Sequence, residues 1–301
     1  MKKVKEKIHH LWMEQLRFQL RTAWDILWEA RSSFSRDGCL NLSAALAFYT
    51  ILSIIPFLFI LVSLTGYLLG SSEQAFQVAI SFGDRLFPQS SDLIIKEVQA
   101  LTHRAKLFGW VGFFSLIWTA SIVFSSLEFA LSIVFRVERR RSFVQSKLLA
   151  ISMIPAAMII FFFSLFITGF ARIMENYELT FWGMNLAKSN FLEFLVGYLL
   201  PYLILTISFT AIYKVIPPAQ ISFRHALAGG ASCAFLFEIV KHLFTWYVKS
   251  SSPYSIVYGS LETIIILVVW VFYSAAVLLF CAELVSAYRR RDITLLQKVF
   301  L

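Results

Sequence analysis

Apolar residues in this chain run in long blocks and do not alternate with polar ones. Six blocks stand out, at about 41–69, 109–135, 147–171, 191–216, 223–248 and 255–288. Each offers the roughly 20 residues that a helix needs to cross about 30 Å of hydrocarbon. A helix satisfies its own backbone hydrogen bonds, and so survives where no water is available. The pattern therefore predicts an all-α polytopic membrane protein, a six-transmembrane-helix bundle. Pro56 falls inside the first block, which a membrane helix tolerates because neighbouring groups can re-satisfy the freed carbonyl. Pro217-Pro218 ends the fourth, since a proline ring clashes with a continuing helix. The sixth block is longer than a bilayer requires, so its helix should tilt or protrude.

The polar stretches complete the layout. Within residues 1–36, Val4, Ile8, Leu11, Trp12, Leu16, Leu20, Trp24, Leu27 and Trp28 recur at helical spacing, with Lys and Arg on the other faces. This predicts an N-terminal amphipathic helix, and two compatible readings of it stand. It lies in the headgroup plane, or it packs on the ends of the other helices. Residues 70–108 form a polar outer loop with two short amphipathic helical stretches, 76–86 and 93–101, separated by Pro88. The domains expected are an interfacial helix at 1–36, a transmembrane domain at 37–288 and a basic tail at 289–301.

Composition sharpens this picture. Of 301 residues 58% are hydrophobic and 15% charged, and the mean hydropathy is +0.72. A soluble domain carries about 25% charged residues, and no stretch between the blocks could hold one. The first 40 residues are too polar, and the first block too long, for a cleavable signal peptide. The net charge of +9 would suggest nucleic acid in a soluble protein. Here the basic residues flank the apolar blocks, which suits anionic lipid at a membrane face, and no nucleic-acid partner is expected. Nineteen Lys and Arg fall on the side of the termini and seven on the other. The positive-inside rule then places both termini in the cytoplasm. Cys39, Cys233 and Cys281 have no metal or redox spacing.

Four separated motifs carry a resemblance. They are ALAFYTILSIIP ending at Pro56, WTASIVFSSLEFALSIVF from Trp118, IPPAQISFRHALAGGA from Ile216, and VYGSLETIIILVVWVFYSAAVLLFCAEL from Val257. In this order they resemble the YihY/virulence factor BrkB family of bacterial inner-membrane proteins, over about residues 30–288. The resemblance implies six helices in the bacterial cytoplasmic membrane, a role in the cell envelope, and a transport activity often proposed for such proteins. An older label of that family is ribonuclease BN. Glu262 stands where the resemblance implies a small or apolar residue, and Cys281 where it implies glycine, so a role for Glu262 would be this chain's own.

Ionisable residues inside a span cost roughly 2.5–3.5 kcal/mol each at mid-membrane, and so face the bundle interior or water. Ser121, Ser125, Glu128 and Ser132 form one stripe on the second span. It reads either as the wall of an aqueous cavity or as an interhelical hydrogen-bond seam. On the fifth span Ala226, Gly230 and Ala234 permit close helix approach. Glu238, Lys241 and His242 follow on the same span. Glu238 and Lys241 can pair at i, i+3, and His242 is either a proton carrier or a packing residue. Glu262 and Glu283 lie on the sixth span. Glu283 reads as interfacial, within reach of water or Arg289. The 249–254 turn is short, so Lys241 and Glu262 should sit at one depth and pair, with Glu238 as a second partner.

No phosphate loop, GxSxG or HExxH motif is present, and the five His lack ligand spacing. The expectation is therefore no enzyme, no metal and no cofactor. The leading function is movement of an unknown solute or lipid, an amphipathic anion above all, driven by an ion gradient or a partner because no ATP motif exists. The alternative is a non-transporting envelope-assembly or scaffold protein, with an intramembrane enzyme third. An oligomer is compatible with either.

Overall fold

The computed structural model describes residues 22, 24–69, 105–138, 141–142, 144–156, 159–160, 180–181, 184–185, 197, 199–250 and 262–300. Among them are seven helices: α1 (Trp24–Arg36), α2 (Cys39–Leu69), α3 (Ala105–Val134), α4 (Val144–Ala156), α5 (Leu200–Val215), α6 (Phe223–Ser250) and α7 (Glu262–Phe300). The exception to helix is a two-residue antiparallel pair between β1 (Thr180–Phe181) and β2 (Met184–Asn185), with Thr180 opposite Asn185.

The expected blocks map onto these helices. α2, α3, α6 and α7 take up blocks one, two, five and six, and α4 and α5 cover most of the described parts of blocks three and four. By length and composition, Phe113–Val134, Phe223–Val248 and Ile264–Ile293 can each cross a membrane, and α1 with α2 makes a fourth candidate if that bent pair is one span. Residues 1–21 and both expected stretches of the outer loop lie outside the described residues. α7 continues past residue 288 to Phe300, so the helix does not end where hydropathy falls.

Local chemistry sets the helix ends. α1 stops at Asp37-Gly38, where Gly38 takes the left-handed conformation (φ 65°) that glycine adopts without a Cβ penalty. The chain restarts at once as α2, bent by 67°. α3 ends in a Schellman-type turn. The Val137 N–H donates to the Ser132 carbonyl at 3.0 Å and the Arg136 N–H to the Ile133 carbonyl at 3.0 Å, with Arg136 left-handed at φ 51°. A proline stands in the first turn of α5, where its missing N–H costs nothing.

The helices pack in the order α3, α2, α7, α6, α5, and α7 also touches α3, so α7 is central. Small residues make close approach possible: Cys39, Ala130, Ala226, Cys233, Ala234, Cys281 and Ala282 are fully buried. Gly230 faces α5 closely. A Cβ there would overlap the Thr210 hydroxyl and come within 2.8 Å of the Thr206 carbonyl oxygen, while one on Gly229 would overlap Val285 of α7.

Polarity is reversed relative to a soluble protein. Trp118 is 72% exposed, and Phe48, Phe114, Ile207, Phe235 and Trp246 also point outward, whereas Glu128 and Glu283 are buried. Such an apolar exterior needs a hydrocarbon solvent.

Candidate functional site

Charged groups gather at one end of the bundle, here called the basic end, where α3 stops, α4 and α6 begin and α7 passes through. Two clusters form there, on either side of the last turn of α3.

The first is built on the serine–glutamate stripe of α3. Glu128 accepts from the Arg141 guanidinium at 3.3 Å and from the Ser146 hydroxyl. Arg141 also donates to the Ile216 carbonyl at 2.6 Å and the Val215 carbonyl at 3.2 Å. Those are the last carbonyls of α5, which carry the negative end of its dipole. One cation thus joins a buried carboxylate on α3 to the end of α5. Lys147, in the first turn of α4, donates to Ser121 at 2.9 Å. Ser132 turns its hydroxyl back to the Glu128 carbonyl at 2.7 Å. The Ser125 Oγ is sealed from solvent without a hydrogen-bond partner among the described residues.

The second cluster surrounds Glu283 of α7, which is 0% exposed and does not reach water as the sequence suggested. The Cys39 thiol donates to its Oε1 at 3.9 Å, and Asp37, two residues before that cysteine, is a neighbouring like charge. One helical turn on, Ser286 donates to the Val134 carbonyl of α3 at 2.8 Å and accepts from Arg290 at 2.8 Å. Arg290 and Arg291 then reach α1, binding Glu29 at 3.0 Å and Asp25 at 3.3 Å. Sequence reasoning missed Asp37 and the depth of Glu283. The signal available was the carboxylate–glycine pair Asp37-Gly38, which marks a turn.

A third tie joins α6 to α7. His225 Nε2 meets Asp292 at 2.8 Å, its Nδ1 meets the Ser222 hydroxyl, and its ring stands edge-on to Tyr288. Serine, histidine and carboxylate are the residues of a hydrolytic triad, but in that array the serine faces Nε2. Ser222 instead caps α6, accepting the His225 N–H at 3.5 Å, and the histidine three residues on answers as in a capping box.

The remaining expected residues lie apart from this end. Lys241 pairs with Glu238 on α6, and His242 meets the same carboxylate at 3.3 Å. His242 is largely exposed among the described residues. Glu262 opens α7, but its side chain, and so its expected pairing with Lys241, lies outside the described residues. No group of three metal-ligating side chains occurs among the described residues.

Comparison with known proteins follows the same chain. The profile of the family described as "Virulence factor BrkB" matches residues 30–298. The chain is 28% identical over 268 residues to a "UPF0761 membrane protein" of Alkalilimnicola ehrlichii, covering 89% of this chain and 59% of that protein. A relative of the same name from Psychromonas ingrahamii is 28% identical, with 80% of each chain covered. A ribonuclease-like protein named YfkH, from Bacillus subtilis, is 27% identical over 83% of this chain and 90% of its own length. The chain thus spans about three fifths of some relatives, 59% in Alkalilimnicola ehrlichii and 58% in Alcanivorax borkumensis. No solved structure matches.

Proposed function

The chain belongs to the virulence factor BrkB family, and from that membership and the buried charges of the basic end we propose that it is a transporter of an amphipathic anion, most simply a lipid. It is an integral membrane protein. In the fuller reading it crosses the bacterial cytoplasmic membrane six times with both termini inside, so that the basic end is cytoplasmic. There Arg36, Arg136, Arg141, Arg290 and Arg291 stand near anionic headgroups, and Trp24, Leu27 and Trp28 of α1 lie in the interface.

One observation carries the reading: Glu128 is buried yet held by a cation from a connecting segment. A charge kept inside a membrane bundle is expensive. Its cost is better matched to a latch that can release than to packing alone, which apolar residues would supply at less cost. Arg141 would close the basic end by holding α3 and α5 together, and its release would open a path along the Ser121–Ser132 stripe. A second reading, as a non-transporting scaffold, draws on the partners that Glu128 and Ser132 already have. A ribonuclease activity gains no ligand set from the described residues.

The test is reconstitution into vesicles carrying a fluorescent anionic phospholipid, with quencher added outside. Transport predicts that protein-containing vesicles lose the protected inner fraction faster than empty ones, and that Glu128→Gln slows this severalfold while lowering folded yield by less. Rates equal to empty vesicles for both lipid and soluble anionic probes would leave the scaffold reading.

A further inference from the structure

Glu283 and Asp37 present an unusual balance of donors. Glu283 Oε1 accepts from Cys39 and Asp37 Oδ1 accepts from Arg36 at 3.4 Å. The other oxygen of each, Glu283 Oε2 and Asp37 Oδ2, is sealed from solvent and has no hydrogen-bond donor among the described residues. The Cys39 contact sets Glu283 against the Asp37-Gly38 bend, so the two carboxyls are neighbours. Two facing carboxylates with bare oxygens repel and have lost their water. A donor between them would satisfy both oxygens.

We propose that Asp37 and Glu283 form a proton-binding pair in which one carboxyl donates its O–H to the other, at the bend between α1 and α2. A proton taken from water converts one carboxylate to the acid. Its departure leaves two anions and an extra negative charge in a closed site. No bond other than O–H forms or breaks.

The charges around the pair set what its ionisation does. Arg36 faces it from α1, Cys39 from α2, Arg136 from the end of α3 and Arg290 from α7. Arg290 also holds Glu29 of α1. With the proton bound, the bend at Gly38 folds α1 over Glu283. With it lost, the two carboxylates push α1 from α7 and compete with Glu29 for Arg290. Proton occupancy would therefore set whether α1 covers this end. Using that coupling to drive transport rests on the proposed function above, but the bound proton does not.

Infrared difference spectra of the purified full chain in lipid, recorded across a pH titration, read this directly. A protonated buried pair gives a carboxylic-acid carbonyl band that disappears with rising pH. Glu283→Gln should abolish the band, Asp37→Asn should abolish or shift it, and Cys39→Ala should shift it by removing the thiol donor. The three variants act at the bend, on α2 and on α7, so one that fails to fold leaves two to decide. Absence of the band at every pH in folded protein overturns the proposal. A band lost on adding sodium but not choline at constant pH overturns it in favour of a sodium site. A band that behaves as expected in protein that moves no lipid keeps the proton site and removes only the transport reading.

Discussion

Arg141 contributes more than one half of an ion pair. It neutralises a buried carboxylate and also satisfies the end of α5. Removing one partner of a buried pair leaves the other charge desolvated, at roughly 3–5 kcal/mol. Arg141→Met should therefore lower thermal stability in detergent more than Glu128→Leu, because only the first also strips donors from the Val215 and Ile216 carbonyls. The double change should recover the Glu128 share of the loss and not the α5 share. Equal losses for the two single variants would contradict this. The glycines give a second residue-scale prediction. Gly230→Ala would press a methyl against Thr210 and the α5 backbone, and overpacking typically costs about 1–3 kcal/mol. At Gly38 nothing lies within 4 Å, so Gly38→Ala should cost only the left-handed backbone, about 1–2 kcal/mol. Unfolding midpoints of the two variants check both, and Gly38→Asn should be milder than Gly38→Ala, since asparagine tolerates that conformation.

At the scale of elements, α1 shows how two readings of one segment meet. Its Asp25 and Glu29 pair with Arg291 and Arg290 of α7, while Ala30 and Ser33 are buried. Trp24, Leu27 and Trp28 remain exposed, with Arg31 over the Trp28 ring at 5.1 Å. One face thus docks on α7 and the other is apolar with a cation at its edge, which fits an interfacial helix. Tryptophan fluorescence of the full chain in vesicles should therefore be quenched by lipids brominated near the headgroup, and Trp24→Ser with Trp28→Ser should remove part of that quenching. Quenching unchanged by the double variant would leave only the docking role. The sequence showed the apolar positions of α1 but not its acidic ties, because i, i+4 spacing displays a face without naming what covers it. Likewise the stripe Ser121–Ser125–Glu128–Ser132 was legible from spacing within one helix. Arg141 as the partner of Glu128 was not, since a connecting segment gains its place only when α4 and α5 close around it. Glu283 was read as interfacial because it lies near the end of its span, within reach of Arg289. Its neighbours there include Asp37 and Cys39, 244 residues away in the case of the thiol.

For the molecule as a whole, block length made the helices legible, and the physical reason is that each block must satisfy its own backbone in lipid. Their order in the bundle was not legible, because α7 sits centrally through small residues that hydropathy counts as unremarkable. Orientation decides what the buried charges could serve. Nineteen basic residues on the side of the termini against seven opposite predict that the basic end faces the cytoplasm. The clusters at Glu128 and Glu283 would then lie where α1 and the 136–147 segment can respond to anionic lipid and cytoplasmic protons. Single cysteines, introduced after the native Cys39, Cys233 and Cys281 are replaced, distinguish the two orientations in intact cells. A cysteine at Arg140 should react with an impermeant maleimide only after permeabilisation, and one at Ser90, in the outer loop, without it. The reverse pattern would turn the basic end outward. The proton pair would then face the medium outside the cell, and cytoplasmic anionic lipid would no longer be the substrate that the arginines favour.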